Sequence, residues 1–291
     1  MQGQLMSAAR PYHTPRQDVR RRHRRLLSAG IVILGIAAAL VAFRQGPSNA
    51  WWVRLAGVAR DPTSAFPPIV LWAWERPESL EFIDAQAVGV AFLARTLYLS
   101  GPDVIVRPRV QPFSAPPETK LMAVVRMTSD RWRPPELSDA QREMATAAIA
   151  EVSALSGIRA LQVDFDATVS QRAFYRDVLW RIRRQLPTAM PLSITALASW
   201  CIFDEWLTGL PVDEVVPMVF RMGADQRRIR QYLAEDDFRA AACRQSVGIS
   251  TDEPLPTLRP GRRLYMFHPH AWRLEALTRI LEELRRWPHQ P

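Results

Sequence analysis

The chain has 291 residues, 48% of them hydrophobic and 23% charged, which is enough apolar content to fill one large domain or two small ones and too much for a disordered protein. Its net charge of +9 invites a nucleic-acid reading, but seven arginines against the single acid Asp18 put +6 of it in residues 1–25. A nucleic-acid-binding domain would carry the basic patch on its folded surface, so the distribution speaks against nucleic acid as a partner of the globular part.

Taken in chain order, residues 1–25 form a basic tail that ends in Arg20-Arg21-Arg22-His23-Arg24-Arg25. Leu26 to Phe43 follows without a charge, and at 1.5 Å per residue it spans about 27 Å, close to a bilayer's hydrocarbon thickness. The arginines upstream hold the N-terminus in the cytoplasm, so the expectation is a single-pass inner-membrane protein whose C-terminal domain is periplasmic or extracellular. Ser48-Asn49-Ala50 offers a small-x-small cleavage site. The segment is therefore either an anchor or an export signal, and its length and long basic head favour the anchor. Residues 44–68, with Pro62, Pro67 and Pro68, read as a linker, and the globular domain occupies 69–291.

Apolar or alternating runs then recur at 69–75, 87–99, 121–127, 160–166, 192–199, 213–221, 246–251 and 262–268. Several gaps between them carry helix signals. Ser138 with Gln141 makes a capping box whose helix ends at Gly157. From Ser170, Phe174, Val178, Ile182 and Leu186 share one face until Pro187. A third helix opens near Asp225, and Leu274, Leu277, Ile280, Leu281 and Leu284 form the stripe of a last one. Eight strands alternating with helices call for an α/β fold, a (β/α)8 TIM barrel. The first two units are irregular: only 78–83 offers a helix after the first strand, and 98–113 reads as a hairpin turning at Gly101-Pro102-Asp103. An open doubly wound sheet is the alternative, but no glycine-rich phosphate loop follows any strand, so no nucleotide cofactor is expected. No cysteine or histidine pair has zinc spacing, which leaves no metal site. Cys201 and Cys243 would meet an oxidising compartment. The strand assignments set them at opposite ends of the domain, which favours separate thiols and leaves their pairing open.

The segment Ala160 to Ala167 carries the most chemistry. Leu161, Val163 and Phe165 share one face of its strand, while Gln162, Asp164 and Asp166 share the other. In a barrel the apolar face meets the helices and the polar face lines the axis, with Asp166 nearest the C-terminal mouth. The next strand repeats the pattern with Ser193, Thr195 and Ser199 inward. Asp166 and Asp164, with Glu253 from the seventh strand's end, are the candidate catalytic carboxyls. Gln162, Trp72, Trp74, Trp200, Arg126, Arg221, Asp252 and His268 are the candidate substrate-binding groups. Tryptophans 72, 74, 132, 200, 206 and 272 fall at or just after strand ends, where indole faces suit sugar C–H surfaces or simply fill the core. Asp164 has a structural alternative, a buried ion pair with Arg126 or Arg95.

At Leu71-Trp72-Ala73-Trp74-Glu75-Arg76-Pro77, Gln162 to Ala167, Ser193 to Trp200 and Ser250-Thr251-Asp252-Glu253-Pro254 the chain resembles an uncharacterised bacterial family, a domain of unknown function, over about Leu71 to Trp272. More distantly the fourth strand is similar to that of chitinase-type glycosidases, where alternate aspartates lead to a glutamate acid. In direct register Thr168 stands in the glutamate position, and a shift of two residues puts Asp166 there. In the sixth strand Met218-Val219-Phe220-Arg221 stands where those glycosidases carry Met-x-Tyr-Asp. The resemblance implies a glycan substrate and carboxylate acid/base chemistry, or a barrel that binds glycan without cleaving it.

Overall fold

In the computed structural model, which describes residues 66–287, eight parallel strands close on themselves. They run β1 (Ile69–Ala73), β3 (Val88–Ser100), β6 (Leu121–Ser129), β7 (Ile158–Asp164), β8 (Leu192–Leu197), β9 (Glu214–Met218), β10 (Ser246–Ser250) and β11 (Arg263–Phe267), which pairs with β1 again. Closure removes the open-sheet alternative. Helices α1 (Asp139–Val152), α2 (Arg172–Gln185), α3 (Ala198–Phe203), α4 (Gln226–Glu235) and α5 (Leu274–Arg286) follow β6, β7, β8, β9 and β11.

The three connections without a helix each have a local cause. After β1 the chain forms a two-residue strand, β2 (Glu78–Ser79), paired with β5 (Phe113–Ser114), where a helix over 78–83 was the expectation. After β3 it turns at Gly101, whose φ of +53 suits glycine, into antiparallel β4 (Asp103–Pro108). Between β10 and β11, Pro254, Pro256 and Pro260 deny a helix the amide hydrogens it needs. The basic tail, the apolar run 26–43 and most of the linker lie outside the described residues. Among those described, no helix is long and apolar enough to cross a membrane.

Strand alternation sorts side chains into two cores. Leu161, Val163 and Phe165 face the helices, among them Phe174, Val178 and Ile182 of α2, each of which is essentially unexposed. Each such side chain contributes roughly 1.5–3 kcal/mol by burial. The barrel interior holds Val70, Trp72, Ala91, Met122, Val124 and Tyr265. Trp72 fits across the axis because β10 offers Gly248, where a Cβ would lie 2.7 Å from the indole Cη2.

Below this layer sits a buried polar floor. Glu214 accepts from Ser193 Oγ at 2.9 Å, Arg263 Nη1 at 2.7 Å, Tyr265 Oη at 2.6 Å and Ser246 Oγ. The carboxylate's charge is thus met by Arg263 and its lone pairs by hydroxyls.

Helix starts follow the sequence closely, with one rearrangement. Ser138 caps α1 by accepting from Gln141 N, but the Gln141 side chain accepts from Leu137 N and donates to Gly101 O and Asp103 O. It ties the helix to the hairpin turn instead of closing the box. The helix also ends at Val152, short of Gly157. Cys201 and Cys243 form a disulfide with Cα atoms 6.0 Å apart, against the sequence-based placement at opposite ends. The connection between α4 and β10 lies against α3, with Ala240 N donating to Cys201 O, and carries Cys243 alongside.

Candidate active site

The C-terminal ends of the strands surround an open cleft of about 410 Å³. β7 supplies Asp164 and Asp166, β6 supplies Arg126, and β1 leads to Trp72 and Trp74. Beyond β9 come Phe220, Arg221 and Asp225, and Phe267 closes the circuit from β11.

Asp164 is the last residue of β7 and is 9% exposed. Its Oδ1 accepts from Thr195 Oγ1 at 2.6 Å, and its Oδ2 lies 3.8 Å from Arg126 Nε. Arg126 is opposite Asp164 in the β6–β7 register, which fixes that approach. Burial pushes the Asp164 carboxyl from an ordinary 3.8 up to about 6; the charge of Asp166 adds to the push, while Thr195 and Arg126 oppose it.

Asp166 stands beyond the strand end and is exposed to the cleft. The surrounding walls nevertheless strip enough water from its carboxyl to raise its pKa against the opposing charge of Arg126. Thr168 turns away from this pair. It caps the short helical turn 169–171, with its amide donating to Gln171 Oε1 at 3.0 Å, so the position of the glycosidases' glutamate is spent on backbone capping.

Gln162 lies beneath the cleft rather than on its lining. It accepts from Trp72 Nε1 at 2.9 Å and donates to Ser193 Oγ at 3.0 Å. Its role is therefore to orient Trp72 and join it to the polar floor. Trp74 is placed by the loop after β1, which the Arg109 guanidinium fastens through the carbonyls of Trp74 and Arg76.

Besides Gln162, four more expected site residues lie off the cleft. Trp200 is 4% exposed because β8 ends at Leu197 and the chain turns into α3, which rotates the indole edge-on against Trp206 at 4.9 Å. His268 shares a hydrogen bond between Nδ1 and Thr251 Oγ1 and rests beside the Trp272 ring at 5.0 Å. Its pKa is lowered by burial first, and then by the neighbouring His270 and Arg76. Asp252 accepts from Ser250 and, at 3.3 Å, from Arg221 Nη2. Glu253 accepts from the Arg221 backbone N–H at 2.8 Å and pairs with Arg230 at 3.4 Å. Both carboxylates thus hold Arg221 in place instead of facing a substrate. Arg95, the other proposed partner of Asp164, reaches outward to Ala148 O and Glu151.

Three contributors escaped the sequence reading. Phe220 and Phe267 stack at 5.7 Å as one wall, and Asp225 brings a third carboxyl to the lining. The alternation Glu214, Val216, Met218, Phe220 and the alternation Arg263, Tyr265, Phe267 would have placed both phenylalanines on the inward face. Asp225 had a signal only as a helix start. Among the described residues no cluster of His, Cys, Asp or Glu has the makings of a metal site.

No protein-family model, curated protein or solved structure matches this chain. What the cleft offers is an acid pair with raised pKa values, aromatic walls and two arginines around an open volume.

Proposed function

We propose that the barrel is a glycoside hydrolase of the cell envelope, acting on a glycan by carboxylate acid/base chemistry. The observation that carries this reading is the Asp164–Asp166 pair, two carboxyls one residue apart at an open mouth, both held above their ordinary pKa. Such a pair holds its last proton up to about pH 6, because Asp164 is buried and ionises against the charge of Asp166. Asp166, exposed to the cleft, protonates the glycosidic oxygen. Asp164, fixed by Thr195, supports that proton electrostatically, and Asp225 is the further carboxyl available to attack or to activate water. Glu253, the carboxyl expected in that last role, is engaged by Arg221 and Arg230.

Trp72, Trp74 and the Phe220–Phe267 wall supply flat apolar surfaces for sugar rings. The disulfide suits an oxidising compartment, in keeping with the basic tail and apolar run that would anchor the chain in the inner membrane and export the barrel. A digest of cell-wall and exopolysaccharide glycans tests the reading. Asp166→Asn is expected to lose at least about 100-fold in cleavage with a melting temperature that does not fall. Unchanged turnover sinks the assignment.

One observation favours a second reading, a glycan-binding barrel without catalysis: Arg126 approaches Asp164 closely enough to act as its structural counter-ion. Retention of glycans by the wild type with no cleavage of any of them would select it.

A further inference from the structure

Two guanidinium groups enter the cleft with most of their donors unspent. Arg126, its side chain 40% exposed, lies over the Trp74 ring at 5.7 Å and beside Asp164, yet among the described residues none of its N–H groups has a hydrogen-bond acceptor. Arg221, 51% exposed, lies over the Phe267 ring at 4.6 Å and among the described residues gives one side-chain hydrogen bond, from Nη2 to Asp252. A guanidinium over an aromatic face is attracted through its π-surface, while its donors project around the edge of the plane. That edge is a fork suited to the paired oxygens of a carboxylate, sulfate or phosphate.

The backbone at Arg221 makes the placement specific. Its φ is +50, a left-handed conformation that a residue with a Cβ adopts only where its surroundings hold it. Glu253 provides that hold by accepting from the Arg221 amide, and Asp252 pins one end of the guanidinium. A neighbouring glycine, Gly223, also has positive φ at +59, yet the cleft position is filled by arginine. Two carboxylates and a strained peptide are thus committed to presenting one cation to the cleft. Of the acids at the mouth, Asp252 and Glu253 face Arg221 and Asp164 is held by Thr195 beside Arg126, which leaves Asp166 and Asp225 on the lining for the chemistry and the two arginines for the ligand's charge.

We infer that the cleft takes a glycan bearing an oxyanion, with Arg221 reading that group and Arg126 available as a second cation nearer the acid pair. The inference rests on the hydrolase reading for the role of the cleft and adds the substrate class. It makes Arg221 a specificity residue, with Glu253 and Asp252 as its positioning residues.

The test uses oligogalacturonates, the same oligosaccharides after reduction of their carboxyls to alcohols, and sulfated and neutral glycans on one array. Affinities follow by calorimetry for the wild type, Arg221→Asn and Asp166→Asn. Asparagine tolerates the left-handed backbone, so Arg221→Asn removes the cation without forcing a new conformation. The expected result is retention of acidic glycans by wild type at least about tenfold more tightly than their uncharged counterparts. In Arg221→Asn the preference falls below about threefold. A preference confined to the sulfated arm identifies sulfate as the oxyanion and supports the inference equally. Equal binding of charged and uncharged forms, an intact preference in Arg221→Asn, or no retention of any acidic glycan overturns it. Cleavage separates the two claims. A wild type that cleaves only neutral glycans defeats the oxyanion and keeps the hydrolase, whereas acidic glycans bound tightly but never cleaved do the reverse.

Discussion

Asp164 offers a direct way to tell a working acid from a structural ion pair, because the two roles predict opposite effects on stability. Its carboxyl is raised from 3.8 in the unfolded chain to about 6 in the fold. The folded state therefore holds this proton more tightly than the unfolded state. The group's stabilising contribution is complete below about pH 3.8 and is lost as the pH rises through about 6. At about 1.36 kcal/mol per pKa unit, ionised Asp164 costs the fold roughly 3 kcal/mol at pH 7.5. Asp164→Asn removes that charge and keeps an oxygen for the Thr195 hydroxyl at almost the same place. It leaves Arg126 without its neighbour. The attraction of that guanidinium is already part of the balance that sets the Asp164 pKa, so it adds no separate loss. The expected net effect is a gain of about 3 kcal/mol at pH 7.5 that shrinks below about 1 kcal/mol at pH 4. Urea denaturation of wild type and variant at pH 4, 5.5 and 7.5 measures it, together with glycan cleavage, which should fall. A variant that is destabilised by 1 kcal/mol or more at pH 7.5 would refute the reasoning, since Asp164 would then be a net stabilising partner of Arg126.

Two further outcomes follow from the fold. Glu214→Gln removes the buried charge to which Arg263 Nη1, Tyr265 Oη and the Ser193 and Ser246 hydroxyls donate, and should cost about 1–3 kcal/mol in chemical denaturation. Replacing Cys201 and Cys243 by alanine opens a crosslink spanning 42 positions, and chain entropy puts the loss near 4 kcal/mol; equal stability of the oxidised and reduced wild type would contradict a formed disulfide.

Much of the barrel was legible because its signals are local. Apolar or alternating runs located all eight barrel strands, and the stripe from Phe174 to Ile182 located α2, since such patterns report which faces are buried. The inward face of β7 was legible for the same reason. Misplacements came where a strand ends, which alternation does not reveal. β8 stops at Leu197, so Trp200 belongs to a helix and points into the flank, and β7 stops at Asp164, so Thr168 caps a turn. The disulfide was misjudged because it depends on how the connection after α4 lies against α3, a tertiary contact with no sequence period. Asp252 and Glu253 were recognised as mouth residues, but their partner is the strained Arg221 backbone and side chain, and a positive φ at arginine leaves no mark in composition or spacing.

The inside of the barrel divides along its axis in a way that bears on the proposed chemistry. At the floor, Glu214 has four donors, Gln162 bridges Trp72 to Ser193, and buried polar groups are joined in one network. A few residues up the same strands, Asp164 has one hydrogen bond at a raised pKa, Arg126 has none within the described residues, and Asp166 stands open to solvent. The same sequence that satisfies a carboxylate fully at Glu214 leaves two under-satisfied at the mouth. A requirement for stability alone is met by the first arrangement and penalised by the second. Residues held in an unfavourable protonation environment at the open end of a barrel are what acid catalysis requires. The stability measurement on Asp164→Asn and the cleavage measurement on Asp166→Asn therefore probe one claim from two independent sides.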